Sequence, residues 1–110
     1  MLNKIKQLLG MNGTGDEMIG SISTFAGNFA PRFFLDCNGQ QLPVKEFAAL
    51  FSILGTTYGG DGQNTFALPD LRPFANDKQP DTGHRRKVDW SEVGMPRQVI
   101  CVVGIYPSRP

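Results

Sequence analysis

The chain has 110 residues, 40% of them apolar, with 13 glycines, 8 prolines and a formal net charge of +1. That length fits one domain with a modest core, and the near-neutral balance excludes a bulk field that would recruit nucleic acid or an anionic membrane. No apolar run approaches the ~20 residues needed to span a bilayer, and the glycine and proline content points to short elements and turns, not a helical bundle.

Residues 1–17 read as an N-terminal arm or docking helix. Leu2, Ile5, Leu8 and Leu9 recur at helical spacing, with Lys4, Lys6 and Gln7 elsewhere on the wheel, before Gly10, Gly13 and Gly15 break the pattern. A helix this short is marginal in water, so a frayed arm and a docking or oligomerising helix both remain open. Between Lys6 and Gly10 only Leu8-Leu9 are apolar, too little for the apolar region of a signal peptide. The chain is therefore expected to fold in the cytosol or to leave by another route.

Residues 18–110 read as a small α+β domain, mostly short strands with one amphipathic helix. A first strand is predicted over 18–25, followed by a turn at Ala26-Gly27-Asn28. Residues 32–37 alternate, with Phe33, Leu35 and Cys37 on one face. Asn38-Gly39 suits a type I′ turn, so residues 40–42 are expected to return antiparallel to that strand. Phe47, Leu50, Phe51 and Leu54 then mark one face of a helix, with Gly55 at the C-terminal cap and no good side-chain cap at the start. Such a helix holds by packing. A strand over 65–68 ends at Pro69, which cannot donate to a ladder. Residues 73–97 are polar and aperiodic and read as a long loop. The chain closes on 99–106, apolar on both faces, the pattern of a central strand covered on both sides.

Little in the chain carries chemistry. Cys37 and Cys101 make neither a disulfide framework nor a metal signature; they read as small buried hydrophobes, with a mutual disulfide as the alternative. The Gly59-Gly60-Asp61-Gly62 turn lacks the Lys-Ser/Thr of a phosphate loop, and Asp61 with Asn64 falls short of the carboxylates of a calcium site. His84 is the only histidine, so one chain cannot form a multi-histidine zinc site, and no serine or cysteine has a credible His–acid pair. No catalysis, metal or cofactor is predicted. The one candidate binding feature is Arg85, Arg86 and Trp90, part of the basic cluster Arg85-Arg86-Lys87. Charge-assisted hydrogen bonds from arginine and stacking on the indole suit an anionic glycan or a phosphate; the plainer reading is a solvated loop.

Four stretches resemble the phage tail-collar domain of short tail fibres and microcystin-dependent-type proteins. They are Ile22-Ser23-Thr24-Phe25-Ala26-Gly27-Asn28-Phe29-Ala30-Pro31, Cys37-Asn38-Gly39-Gln40-Gln41-Leu42, Leu50-Phe51-Ser52-Ile53-Leu54-Gly55-Thr56-Thr57-Tyr58-Gly59-Gly60-Asp61-Gly62 and Thr65-Phe66-Ala67-Leu68-Pro69-Asp70-Leu71-Arg72. They occur in family order and spacing, and Gly104-Ile105-Tyr106-Pro107-Ser108-Arg109 resembles the family's closing strand. The chain departs at Phe33-Phe34, where the family usually has Gly-Trp, and at Pro73, where it usually has glycine; the segment 81–97 replaces a glycine-rich stretch. The long shaft of a tail fibre is not among these residues.

The resemblance implies a tail-collar-like fold and a non-catalytic virion appendage protein (tail fibre, collar or fibre tip) that contributes to particle assembly and host attachment. It implies a homotrimer in contact with other virion proteins, a host-surface glycan as ligand, assembly in the host cytoplasm and residence on the phage particle. Neither nucleic acid nor membrane insertion belongs to this picture. The alternative from another class is a soluble carbohydrate-binding module of a bacterial or phage-derived extracellular appendage.

Overall fold

In the computed structural model, which describes residues 16–76 and 85–108, the elements run in the order β1 (Ile22–Phe25), β2 (Phe34–Asp36), β3 (Gln41–Pro43), α1 (Ala48–Leu54), β4 (Thr65–Ala67), β5 (Phe74–Asn76), β6 (Arg85–Lys87), a 3-10 turn (Trp90–Val93) and β7 (Arg97–Cys101). They form three small antiparallel sheets: β1-β7-β2, β3-β4 and β5-β6. The domain is thus α+β. The predicted N-terminal helix and His84 lie outside the described residues.

β7 organises the domain because its two faces feed two clusters. Ile100 packs with Ile19, Cys37, Leu42, Leu50, Phe66, Leu68 and Val102, while Val99 and Cys101 pack on the opposite side with Phe34, Phe25 and Ala30. The doubly covered pattern is therefore realised, but the strand starts two residues earlier than predicted and stops at Cys101. Beyond it the backbone turns: Val102 and Val103 donate to Phe33 C=O, and Ile105 makes a parallel bridge with Met18. Val103, Ile105 and Tyr106 are exposed. Cys37 and Cys101 are buried and free, and burial, with Asp36 adding to it, pushes the Cys37 thiol up to about 11.

The Asn38-Gly39 hairpin does not form. β2 pairs with β7 and β3 pairs with β4, so the two strands flanking the turn belong to different sheets. Asn38 instead bridges to Asp70 and closes a tight local turn by accepting from Gln40 N at 3.2 Å; only Gly39 of the pair has positive φ. The ladder with Thr65–Ala67 buries Leu42 against Phe66, and that long-range burial outweighs the local turn preference.

The helix has no side-chain cap, and its C-terminal Gly55 takes φ +57 with its N–H bonded to Phe51 C=O. Leu50 alone is fully buried; Phe47, Phe51 and Leu54 pack against the core from its margin. Packing holds the helix, through less burial than four fully enclosed side chains.

Phe33 is the one described non-glycine residue with positive φ, at +70. A left-handed backbone costs an L-residue about 1–2 kcal/mol, and the two amides on Phe33 C=O hold it there. The departure from the family's usual glycine thus falls where glycine is conformationally suited. Phe33→Gly is expected to be more stable than Phe33→Ala by about 1 kcal/mol, since both lose the ring and only glycine relieves the backbone. Urea unfolding of the pair checks this; the ordinary order, alanine above glycine, would contradict it.

Candidate functional site

The segment 73–97 is not an unbroken loop. Phe74 to Asn76 pairs with Arg85 to Lys87, and Val88 and Trp90 then enter the interior. Strand alternation puts Arg85 and Lys87 on one face of β6 and Arg86 on the other. On the first face the exposed Phe74 ring has the Arg85 guanidinium 5.5 Å and the Lys87 ammonium 5.2 Å from its centroid. On the other, Arg86 lies 3.8 Å from Glu92, both half exposed, a pairing worth little in water.

Trp90 stands apart from both. It is 2% exposed, so its ring is part of the interior and offers no open face for stacking. The three predicted site residues therefore occupy three environments, and the exposed aromatic beside the cations is Phe74. Trp90 enters the interior because Asp89 caps the 3-10 turn: its carboxylate accepts from Ser91 N and Ser91 Oγ, which holds it below the usual carboxylate range.

Next to Trp90, a cleft of about 410 Å³ opens between the turn 26–28 and the segment 90–97. Arg97 lies within its wall, almost fully buried. Its Nε donates to Gly27 C=O at 3.0 Å and one terminal nitrogen donates to Asp36 Oδ2 at 2.7 Å. The other terminal nitrogen is 3.9 Å from Asp89, and the guanidinium carbon sits 5.6 Å from the Trp90 ring centroid. One arginine thus ties together the first turn, β2 and the 3-10 cap. The sequence reading missed it.

A second ionic cluster fixes the base of the hairpin. Arg72 grips Asp70 with two parallel bonds, Nε to Oδ1 at 3.0 Å and the terminal nitrogen to Oδ2 at 2.9 Å. Lys87 donates to Asp70 C=O at 2.6 Å and approaches the carboxylate at 3.5 Å. The Arg72 contact, with Lys87 assisting, holds the Asp70 carboxyl at about 2. An unfolded aspartate titrates near 3.9, so the stabilisation is complete above about pH 4 and is lost as pH falls through 2. The cluster is partly solvated and screened, so Asp70→Asn is expected to cost about 1 kcal/mol at neutral pH. The gap to the parent protein should close in denaturant titrations run from pH 5 down to pH 2; a gap that stays constant would remove the linkage.

Among the described residues no three His, Cys, Asp or Glu side chains cluster to hold a metal ion, and no helix is long and apolar enough to cross a membrane. The Gly59-Gly60-Asp61-Gly62 turn is closed from within, since Asp61 Oδ1 accepts from the amides of Gln63, Asn64 and Thr65 at 2.8–2.9 Å. What the hairpin presents is an exposed ring flanked by cations, on two short strands clamped to the domain at Asp70.

No curated protein and no solved structure matches the chain. Residues 20–74, half of its length, match the family model described as Phage Tail Collar Domain.

Proposed function

This chain belongs to the phage tail collar domain family, and from that premise we propose that it is a non-catalytic virion appendage protein acting in particle assembly and host-surface attachment. It assembles as a homotrimer in the host cytoplasm and joins other virion proteins there. The family match over residues 20–74 carries this reading.

Attachment is assigned to the β5-β6 hairpin. Arg85 and Arg86 are exposed on its two faces, and Phe74 presents half its surface. Cations beside an open ring suit the carboxylates or phosphates and the apolar faces of an acidic host glycan. Trp90 takes part as the buried anchor that seats the chain after β6.

Light scattering at micromolar concentration tests the oligomer; a monomer would remove the trimer. A glycan array tests attachment. Binding should be lost in Phe74→Ala and in the Arg85→Ala/Arg86→Ala pair, and binding that survives both would clear the hairpin of the role. Release of reducing ends from host polysaccharide would overturn the non-catalytic reading.

A further inference from the structure

Away from the hairpin, three separate segments place apolar side chains together in solvent. Met18 and Ile105 are partners in a parallel bridge, locked by Ile19 N to Ile105 C=O and Ile105 N to Glu17 C=O, each 2.8 Å. Tyr106, the next residue, has its hydroxyl 2.6 Å from Ser52 Oγ on α1. Ile53 follows on α1, and its side chain lies where a Cβ on Gly20 would meet it at 3.4 Å. Met18, Ile53, Ile105 and Tyr106 are 36–54% exposed. The three segments are thus neighbours, and exposed apolar side chains grouped on neighbouring segments are the kind of feature that ordinarily marks an interface.

We infer that this surface is the seat of the chain's own N-terminal segment, with Leu2, Ile5, Leu8 and Leu9 as the covering stripe. The chain leaves the domain at Asp16 and Glu17, at the edge of the surface, so the first 15 residues start beside it. Residues 10–15 span up to roughly 20 Å when extended, and a helical 2–9 would be about 12 Å long, so the stripe reaches any part of the patch. An eight-residue amphipathic helix does not hold alone in water; tethered by so short a linker, it meets the patch at an effective concentration on the order of millimolar.

Charge agrees with this seating. Glu17 Oε2 is buried without a hydrogen-bond partner among the described residues, at the root of the segment. Lys4 and Lys6 flank the apolar stripe on the sequence that would lie over it. A carboxylate at the root of the segment and two ammoniums carried on the segment attract one another, a complementarity that an apolar face of a second copy does not offer.

The full chain with p-benzoylphenylalanine in place of Ile5 tests this. After irradiation, cross-links mapped by mass spectrometry should join residue 5 to Met18, Ile53 or the 105–106 pair within one chain. Cross-links between chains, to another region, or none at all would overturn the inference. In parallel, Ile5→Asp/Leu8→Asp should speed exchange of the Ile105 amide about tenfold, a local opening, while leaving the Leu68 amide unchanged. An Ile105 amide that keeps its protection would count equally against it.

Discussion

Replacing Arg97 with methionine is expected to cost the domain about 3–5 kcal/mol, the range found when one partner of a buried ion pair is removed. The side chain is 8% exposed and joins three segments far apart in sequence: the turn at Gly27, Asp36 on β2 and the cap at Asp89. Methionine fills similar space but leaves Gly27 C=O without its donor and strips Asp36 of its counter-charge. The Asp36 carboxylate can ill bear that loss, because its Oδ1 is already buried and unpartnered. Arg97→Lys should fall between the two, since one ammonium cannot replace a planar fork that bonds to Gly27 and Asp36 together beside the Trp90 ring. The double variant Arg97→Met/Asp36→Leu should regain more than half of the loss, because the isolated charge goes with its partner. Urea unfolding at neutral pH measures all three. A cost below about 1 kcal/mol for Arg97→Met would mean that the cluster is incidental to stability.

Where the sequence foretold the structure, it did so through periodicity that long-range packing then used. β7 could be placed because Val99 and Cys101 alternate with Ile100, and the structure sends them into two separate clusters. The helix could be placed because Leu50 and its neighbours recur at i, i+3, i+4 and i+7. Local chemistry misled where a distant partner decided the outcome. Asn38-Gly39 has the composition of a hairpin turn, but Leu42 finds its ladder with Phe66, more than twenty residues downstream. Arg97 was illegible for a related reason. It ends a polar run that also contains Arg85 and Arg86, and only the fold distinguishes the buried arginine from the two exposed ones. Trp90 did carry a signal: Asp89 followed three residues later by Glu92 is the pattern of a capped turn, and a tryptophan inside it, with Val88 just before, belongs to an inward-turning segment.

Among alanine variants at Gly55, Gly60 and Gly62, Gly60→Ala should be the most damaging, at about 2–5 kcal/mol. Two effects combine there. Gly60 has φ +94, a conformation that costs an alanine about 1–2 kcal/mol. A Cβ would also lie 2.6 Å from Thr65 O and 2.8 Å from Phe66 N, and closer still to Phe66 Cα. These are backbone atoms of a strand whose Phe66 is fully buried, so nothing can give way without shifting β4 off β3, an overpacking cost of about 1–3 kcal/mol. The other two positions separate the effects. Gly62 has φ +78 and would meet Thr56 Cγ2, a methyl that can move, at 3.0 Å; Gly55 has φ +57 and open space. Thermal or urea unfolding should therefore rank the losses Gly60, then Gly62, then Gly55, with Gly55→Ala near the strain alone. Equal losses at Gly60 and Gly55 would show that φ and not contact governs the turn. The ranking also bears on what the turn is for. Asp61 spends one carboxylate oxygen on three amides of its own loop, and Gly59 C=O accepts from Ala67 N. Those donors are committed inward, so the glycines serve to let this turn lie directly on β4.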